Sequence, residues 1–354
     1  MIKVHCLPRF TDYIVAQNFG FAIVSLTGMP PCVAVIVDSL MEALCLVLTL
    51  HSPRTNRPDH LAQHGAGSFG LVLESDDSTR RLLWEDRKLR MSLDGMPVSE
   101  GADYVADAPP VAWLGNRDIA LVTGPAEERR QYLDFVGTQW HPAYRNALRL
   151  YRRALKARNA LLRNPRCTPA ALTGYDEQLV RHGSLIMQMR LRLLELLQPH
   201  IAACHADICG ERREPVGLAY MPSAEQPLRE ALAAAAEADA RAGYTTVGPH
   251  RDDFALTIHG AAAADFASEG QQRTLATALL LAQAYLLQVE TGRAPLLLID
   301  DIFGELDPPR RRALLRSLPA ESQIVITTTH LDWLGREIPP LPVQHLRPGG
   351  IIAS

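Results

Sequence analysis

Two adjacent carboxylates, Asp300 and Asp301, directly follow the four bulky apolar residues 296–299. An apolar run of this length is typical of a strand covered on both faces of a parallel sheet. Ligands bind at the carboxyl ends of such strands, and carboxylate oxygens suit Mg²⁺, which completes its shell with water and phosphate oxygens. The pattern predicts that one acid holds the ion and the other orients a water molecule. Solvated acids at the edge of a sheet give the same pattern, so the neighbouring segments must decide.

A second feature lies upstream, where Ser268, Gly270 and Gln271 precede apolar residues at helical spacing. Ser268 is expected to cap this helix, and Gln271, three residues later, completes a capping-box pattern. The free N–H groups and the dipole of a helix N-terminus favour phosphate binding. Taken alone, the pattern is more often only a cap.

Two more segments follow the acidic pair. Asp307 ends a Gly-Glu-Leu-Asp loop, and the β-branched residues 323–328 predict another strand, which leads to His330. A histidine at the tip of such a strand could contact a terminal phosphate, although an ordinary loop histidine is commoner. The order of capped helix, acid-tipped strand, Leu-Asp loop and strand ending in His is that of an ABC-type ATPase head.

Further segments narrow the resemblance to one family. They are Gly248-Pro249-His250-Arg251-Asp252-Asp253-Phe254, Ala267 to Arg273, Arg129-Arg130 with Tyr132-Leu133-Asp134, and Tyr151 to Leu162. Over about residues 110 to 330 the chain resembles the RecF family of bacterial recombination mediators. The resemblance implies an α/β fold, an ABC-type ATPase head built from both chain ends with an inserted α-helical lobe. It also implies ATP and Mg²⁺ as cofactors, an ATP-dependent homodimer, single-stranded or gapped DNA as ligand, and action with RecO and RecR in loading RecA.

The resemblance also assigns roles residue by residue. Asp300 would be the Mg²⁺ ligand and Asp301 the water-orienting acid. Ser268, Gly270 and Gln271 would contact the nucleotide held by the other subunit, Asp307 would lie in the dimer-contact loop, and His330 would respond to the γ-phosphate. For the domains we expect a head formed by residues 1–135 and 243–354 and a helical lobe over 136–242, because helical patterns dominate that middle segment.

The phosphate loop of such an ATPase is missing from the sequence. No G-x-x-x-x-G-K-[ST] motif occurs, the chain has only the lysines Lys3, Lys88 and Lys156, and Thr27 and Gly28 are the only remnants of the loop. Either a paralogue has lost the loop, or the reading frame is altered over this segment. Several charge-assisted hydrogen bonds of about 1.5–3 kcal/mol each would be lost. We therefore predict that this chain binds ATP weakly or not at all.

A basic segment between Tyr144 and Arg163 contains no acidic residue. Helical spacing places Arg145, Arg149, Arg152 and Lys156 on one stripe, opposite an apolar side. Such a stripe can bind DNA phosphates independently of sequence and in a salt-sensitive way. The alternative is a solvated face, or one that pairs with acids of another segment. We favour DNA binding because the family binds DNA.

Composition fits a cytoplasmic protein. The net charge is −3, and the six cysteines show no disulfide framework. No signal-peptide pattern is present, and Asp38 and Glu42 make the apolar segment 33–50 a poor membrane span. Cys204 and Cys209 with His205 could suggest a metal site, but their C-x4-C spacing lacks the second ligand pair of a zinc site. Two other functions remain open. One is a DNA-binding scaffold that does not use nucleotide. The other is an SMC-like head with a chromosome-structural role, but the inserted segment lacks the sustained heptads of a long coiled coil.

Overall fold

The computed structural model describes residues 2–6, 13–16, 21–25, 41–52, 61, 68–75, 78–164, 166–210, 214–303, 306–328, 343–347 and 350–353. They divide into two compact units, residues 1–116 with 287–354, and residues 117–286. The second unit thus includes more residues on both sides of the helical lobe that we expected over residues 136–242.

The helices and strands of the two units are, in chain order, β1 (Ile2–Cys6), β2 (Tyr13–Ala16), β3 (Phe21–Ser25), a helix α1 described over residues 41–49, β4 (Phe69–Glu74), β5 (Thr79–Glu85), β6 (Lys88–Leu93), β7 (Met96–Val98), α2 (Gly101–Tyr104), β8 (Val111–Gly115), α3 (Ala120–Thr123), α4 (Ala126–Trp140), α5 (Pro142–Leu162), α6 (Pro169–Cys209), β9 (Val216–Met221), α7 (Leu228–Ala234), α8 (Ala236–Ala242), β10 (Asp253–Ile258), β11 (Ala261–Ala262), α9 (Ala263–Phe266), α10 (Glu269–Thr291), β12 (Leu296–Asp300), α11 (Pro308–Arg316), β13 (Gln323–Thr328), β14 (Val343–Arg347) and β15 (Gly350–Ala353).

The first unit contains two six-stranded sheets. One has the order β2-β1-β4-β5-β6-β7 and is antiparallel throughout. The other has the order β15-β14-β3-β13-β12-β8, in which only the β14–β15 pair is antiparallel. Strand β12 lies between two parallel neighbours, and residues 296–299 are at most 3% exposed. The predicted buried strand is confirmed, and its all-apolar sequence reflects cover on both faces.

The second unit is built around packing between α5 and α6. Tyr144, Leu148 and Tyr151 of α5 pack with Ile186 of α6 in one buried cluster. Gly183 permits the close approach of α6 to α7, because a Cβ at residue 183 would lie 2.6 Å from Leu228 Cδ2 of α7. The helical pattern that we predicted over this region is therefore correct for the packing helices.

A strand interrupts the region that was predicted to be helical. Residues 216–221 form β9, which pairs antiparallel with β10, and β10 in turn pairs with β11. Strand β9 is short and weakly patterned, so its pairing with residues more than 30 positions away decides its conformation. Among the described helices, none combines the length and apolar character needed to cross a bilayer.

Candidate functional site

The acidic pair lies at the carboxyl end of β12, next to residues of both neighbouring strands. Asp300 is in register with Thr327 of β13 and with Gly115 of β8. Thr327 Oγ1 donates a 2.7 Å hydrogen bond to Asp300 Oδ1, and Thr327 is completely buried. The hydroxyl therefore orients the carboxylate from within the sheet, as residues behind a metal ligand commonly do.

The backbone turns sharply at the second acid. Asp301 has φ +49°, a left-handed conformation that Asp tolerates better than most residues. Its N–H group donates to Thr327 O at 3.1 Å and lies 3.2 Å from Thr327 Oγ1. Thr327 thus fixes both carboxylate-bearing residues. Sequence reasoning did not single it out, and the only available signal was a hydroxyl near the end of the neighbouring strand.

Two neighbouring strands of the sheet end at the same edge as the acidic pair. Ser25, the last residue of β3, is in register with Thr328 at the end of β13. The carboxyl ends of β3, β13 and β12 therefore share one edge. Thr27, Gly28 and His330 lie outside the described residues, and their roles stay predictions.

Asp307 is the N-cap of α11. Its Oδ1 accepts a hydrogen bond from the backbone N–H of Arg310 at 2.9 Å, and Oδ2 lies 3.4 Å from Arg310 Nη1. Pro308 and Pro309 follow, and Pro suits the first turn of a helix. The structure therefore shows a capping role for Asp307. The dimer contact implied by the family resemblance stays a prediction.

Replacing Asp307 with Ala should lower the free energy of unfolding by about 1 kcal/mol, since the cap of α11 is lost. Replacing it with Ser should restore most of this stability, because a hydroxyl also accepts the hydrogen bond. Chemical denaturation of the three proteins measures the difference. Equal losses for Ala and Ser would contradict a capping role.

The turn before α10 has the predicted capping box. Ser268 N donates to Gln271 Oε1 at 2.8 Å, and Gln271 N lies 3.4 Å from Ser268 Oγ. Ser268 is exposed, and Gly270 is partly exposed. Gln271 Nε2 also donates to Glu214 Oε1 at 2.7 Å. The helix start is therefore held by hydrogen bonds and is accessible, as an anion-binding helix N-terminus must be.

The predicted basic stripe is only partly available on α5. The Arg145 guanidinium donates to Thr138 O at 2.5 Å, and burial lowers the pKa of Arg145. Arg152 forms a 2.8 Å ion pair with Asp134 but keeps 60% of its side chain exposed. Arg149 and Lys156 are exposed, as is Arg153. We call Arg149, Arg152, Arg153 and Lys156 the basic face.

Two segments that carry the family resemblance bind each other. Arg129 Nε and Nη2 donate to the two carboxylate oxygens of Asp253 at 2.7 and 2.8 Å. Arg130 Nη1 donates to Asp252 O at 2.9 Å. Asp252 in turn accepts hydrogen bonds from Tyr220 Oη and from Ser223 N. These motif residues therefore hold α4 against β10, so their role in this unit is structural.

A buried arginine anchors α6 in the same unit. Arg190 is 2% exposed and donates to Asp134 Oδ1 at 2.7 Å and to Pro249 O at 2.6 Å. Tyr144 Oη also donates to Asp134 Oδ1, at 2.6 Å. Burial opposes ionisation of Asp134, but Arg190 and Arg152 outweigh it and lower the pKa of this carboxyl. The charged form is thus the stable one, and sequence reasoning missed this cluster.

Comparisons with known proteins identify relatives over most of the chain. No family model matches it. The DNA replication and repair protein RecF of Synechococcus sp. (strain JA-3-3Ab) is 36% identical over 314 residues, which cover 83% of this chain and 82% of the relative. The RecF protein of Anaeromyxobacter sp. (strain Fw109-5) is 37% identical over 309 residues, 82% of each chain.

Solved structures show the same fold. The recombination mediator RecF of the RecFOR pathway, solved with ATP, matches with a TM-score of 0.84 at 22% identity, covering 99% of this chain and 96% of that one. An Smc head bound to the C-winged helix domain of ScpA matches with a TM-score of 0.54 at 14% identity, covering 99% and 96%. The predicted fold, an ABC-type ATPase head built from both chain ends with an inserted helical lobe, is confirmed. The chain belongs to the RecF family of DNA replication and repair proteins.

Proposed function

We propose that this chain is a recombination mediator that binds single-stranded or gapped DNA and acts with RecO and RecR to load RecA. Family membership supports the repair role. The basic face supports DNA binding, because its exposed cations lie one helical turn apart and can neutralise successive phosphates. Contacts of this kind position a protein on DNA without reading its sequence.

The proposed ligand of the acidic pair is ATP with Mg²⁺. The observation that carries this proposal is Asp300, held by the buried Thr327 hydroxyl at the carboxyl end of a central parallel strand. Asp300 would bind Mg²⁺ and Asp301 would orient the attacking water. Ser268, Gly270 and Gln271 of a second copy would contact the phosphates, which makes the homodimer dependent on ATP. These groups would act by positioning and by stabilising charge.

A scaffold that binds DNA without nucleotide is the second candidate. The absence of a phosphate-loop lysine from the sequence favours it. The two candidates differ in one respect, which is whether nucleotide changes the lifetime of the protein on DNA.

Dissociation from gapped duplex DNA, measured with and without Mg²⁺ and ATP, separates the candidates. For the mediator we expect nucleotide to change the dissociation rate, and we expect Asp300→Asn to abolish this change while leaving nucleotide-free DNA binding intact. The reason is that Asn keeps the shape and a hydrogen-bond acceptor for Thr327 but removes the charge that holds the ion.

The matched control is Asp103→Asn, which removes an exposed acid of α2 in the same unit. This variant should respond to nucleotide as the unchanged chain does. If the unchanged chain dissociates at the same rate in all conditions, the scaffold is correct and the nucleotide proposal is wrong.

A further inference from the structure

Three side chains of different chemistry meet at the end of α6. The ligand atoms of His205, Cys209 and Glu214 all lie within 4.8 Å of one another. We propose that they form a Zn²⁺ site that is separate from the proposed nucleotide site. The inference does not depend on the proposed function, because neither DNA nor nucleotide is proposed to contact His205, Cys209 or Glu214.

The local fold explains how the three residues come together. His205 and Cys209 are four residues apart on α6, so they share one helical face. The helix ends at Cys209, and Gly210 follows with φ +63°. The side chain of Gln198 then fixes β9 against α6, donating to Val216 O and accepting from Leu218 N, both at 2.9 Å. Glu214 lies two residues before this anchored strand, and its carboxylate comes close to His205 and Cys209 at the last turn of α6.

The distances suit tetrahedral zinc. Cys209 Sγ lies 3.6 Å from His205 Nε2 and 3.8 Å from His205 Nδ1. A nitrogen and a sulfur bound to one tetrahedral Zn²⁺ are about 3.5 Å apart, from the usual bond lengths. Thiolate, imidazole and carboxylate together favour Zn²⁺ over Mg²⁺, which prefers oxygen ligands alone. Three protein ligands leave a fourth position for water.

The imidazole of His205 is completely buried. Within the described part of the chain, the hydrogen-bond partner found for its ring nitrogens is the weakly polar Cys209 sulfur. A buried polar group normally has a stronger partner, so a metal ion would satisfy this ring better than the thiol does. The neutral form of the ring is the form that binds metal. The Cys209 thiol would release its proton on binding.

Cys204 is not part of this cluster. It is 3% exposed, and burial raises the pKa of its thiol to about 12. Of the three residues considered in the sequence, Cys204, His205 and Cys209, only the last two belong to the cluster. The ligands that the fold brings together are His205 and Cys209, one turn apart, with Glu214 arriving after the helix has ended.

The site is joined to the capping box of α10. Glu214 Oε1 accepts the hydrogen bond from Gln271 Nε2, while a metal can bind the other carboxylate oxygen. Gln271 would then orient a metal ligand, and such residues commonly change metal affinity by 10–100-fold when they are replaced. Zinc occupancy would in turn hold Gln271 at the helix start.

Metal binding tests the proposal on chelator-stripped full-length protein. Titration with Co²⁺ should give a thiolate-to-cobalt charge-transfer band, and Zn²⁺ should displace it. Cys209→Ser should abolish this charge-transfer band. Glu214→Gln should weaken Zn²⁺ binding at least tenfold, although the new amide oxygen can still accept the hydrogen bond from Gln271. Gln271→Ala should weaken it about tenfold. Cys167→Ser, which removes another partly exposed cysteine, should leave binding unchanged.

Melting temperatures without metal show whether each variant folds. Zn²⁺ should raise the melting temperature of the unchanged chain but not that of Cys209→Ser, because only the former binds it in the folded state. The proposal is overturned if Cys209→Ser and the unchanged chain give the same cobalt band, or if neither gives one. Unchanged affinity in Gln271→Ala would overturn the link to the capping box.

Discussion

Replacing Asp134 with Ala is expected to lower the free energy of unfolding by about 3–5 kcal/mol, the usual cost of leaving a buried charge without its partner. Asp134 is the carboxylate that accepts from Arg190 and Tyr144, and Arg190 is almost completely buried. Without Asp134, the guanidinium keeps its hydrogen bonds to Pro249 O and Tyr144 Oη, and neither of these groups carries a charge.

Denaturant unfolding measures this effect. The matched control is Glu177→Gln, which breaks an ion pair with Arg229 in which both side chains are more than half exposed. Pairs of this kind contribute little to stability, so the control should unfold like the unchanged chain. A loss below about 1 kcal/mol for Asp134→Ala would show that the cluster does not stabilise this unit.

The second large effect concerns DNA. Changing Arg149, Arg152 and Lys156 together to Gln should weaken DNA binding at least about tenfold and reduce the slope of log affinity against log salt by about 2–3, because each phosphate contact contributes about 0.7–0.9. The fold should be retained, since the three side chains are exposed and Asp134 keeps its bonds to Arg190 and Tyr144.

Arg181, Arg192 and Arg229 provide the matched control, because they are exposed and lie in the same unit. Changing all three to Gln removes the same total charge. The control should keep the affinity and the salt slope of the unchanged chain. Equal weakening in both triple variants would mean that net charge, and not the basic face, determines DNA binding.

The sequence predicted those parts of the site that depend on local patterns. The run 296–299 ends in a carboxylate because a strand buried on both faces must be apolar until it reaches the edge. The capping box of Ser268 and Gln271 is equally local, since its two hydrogen bonds join residues three positions apart.

Features that join distant residues were missed. Thr327 is 27 positions from Asp300, and nothing in either segment shows that the strands are neighbours. Arg145 fitted the basic stripe by spacing, but its guanidinium donates a hydrogen bond to Thr138 O near the end of α4. Glu214 was not linked to His205 because the chain must first leave α6 and return with β9. Periodicity describes one element at a time and carries no information on such pairings.

The central claim is that Asp300 forms the metal end of a nucleotide site that has lost its phosphate loop. Titration of ATP, with and without Mg²⁺, into the unchanged chain and Asp300→Asn tests it most directly. Loss of two charge-assisted hydrogen bonds already weakens binding by about 100-fold or more. We therefore predict weak binding that requires Mg²⁺ and disappears in Asp300→Asn. Low-micromolar affinity for ATP with Mg²⁺, or binding that Asp300→Asn leaves unchanged, would contradict this account.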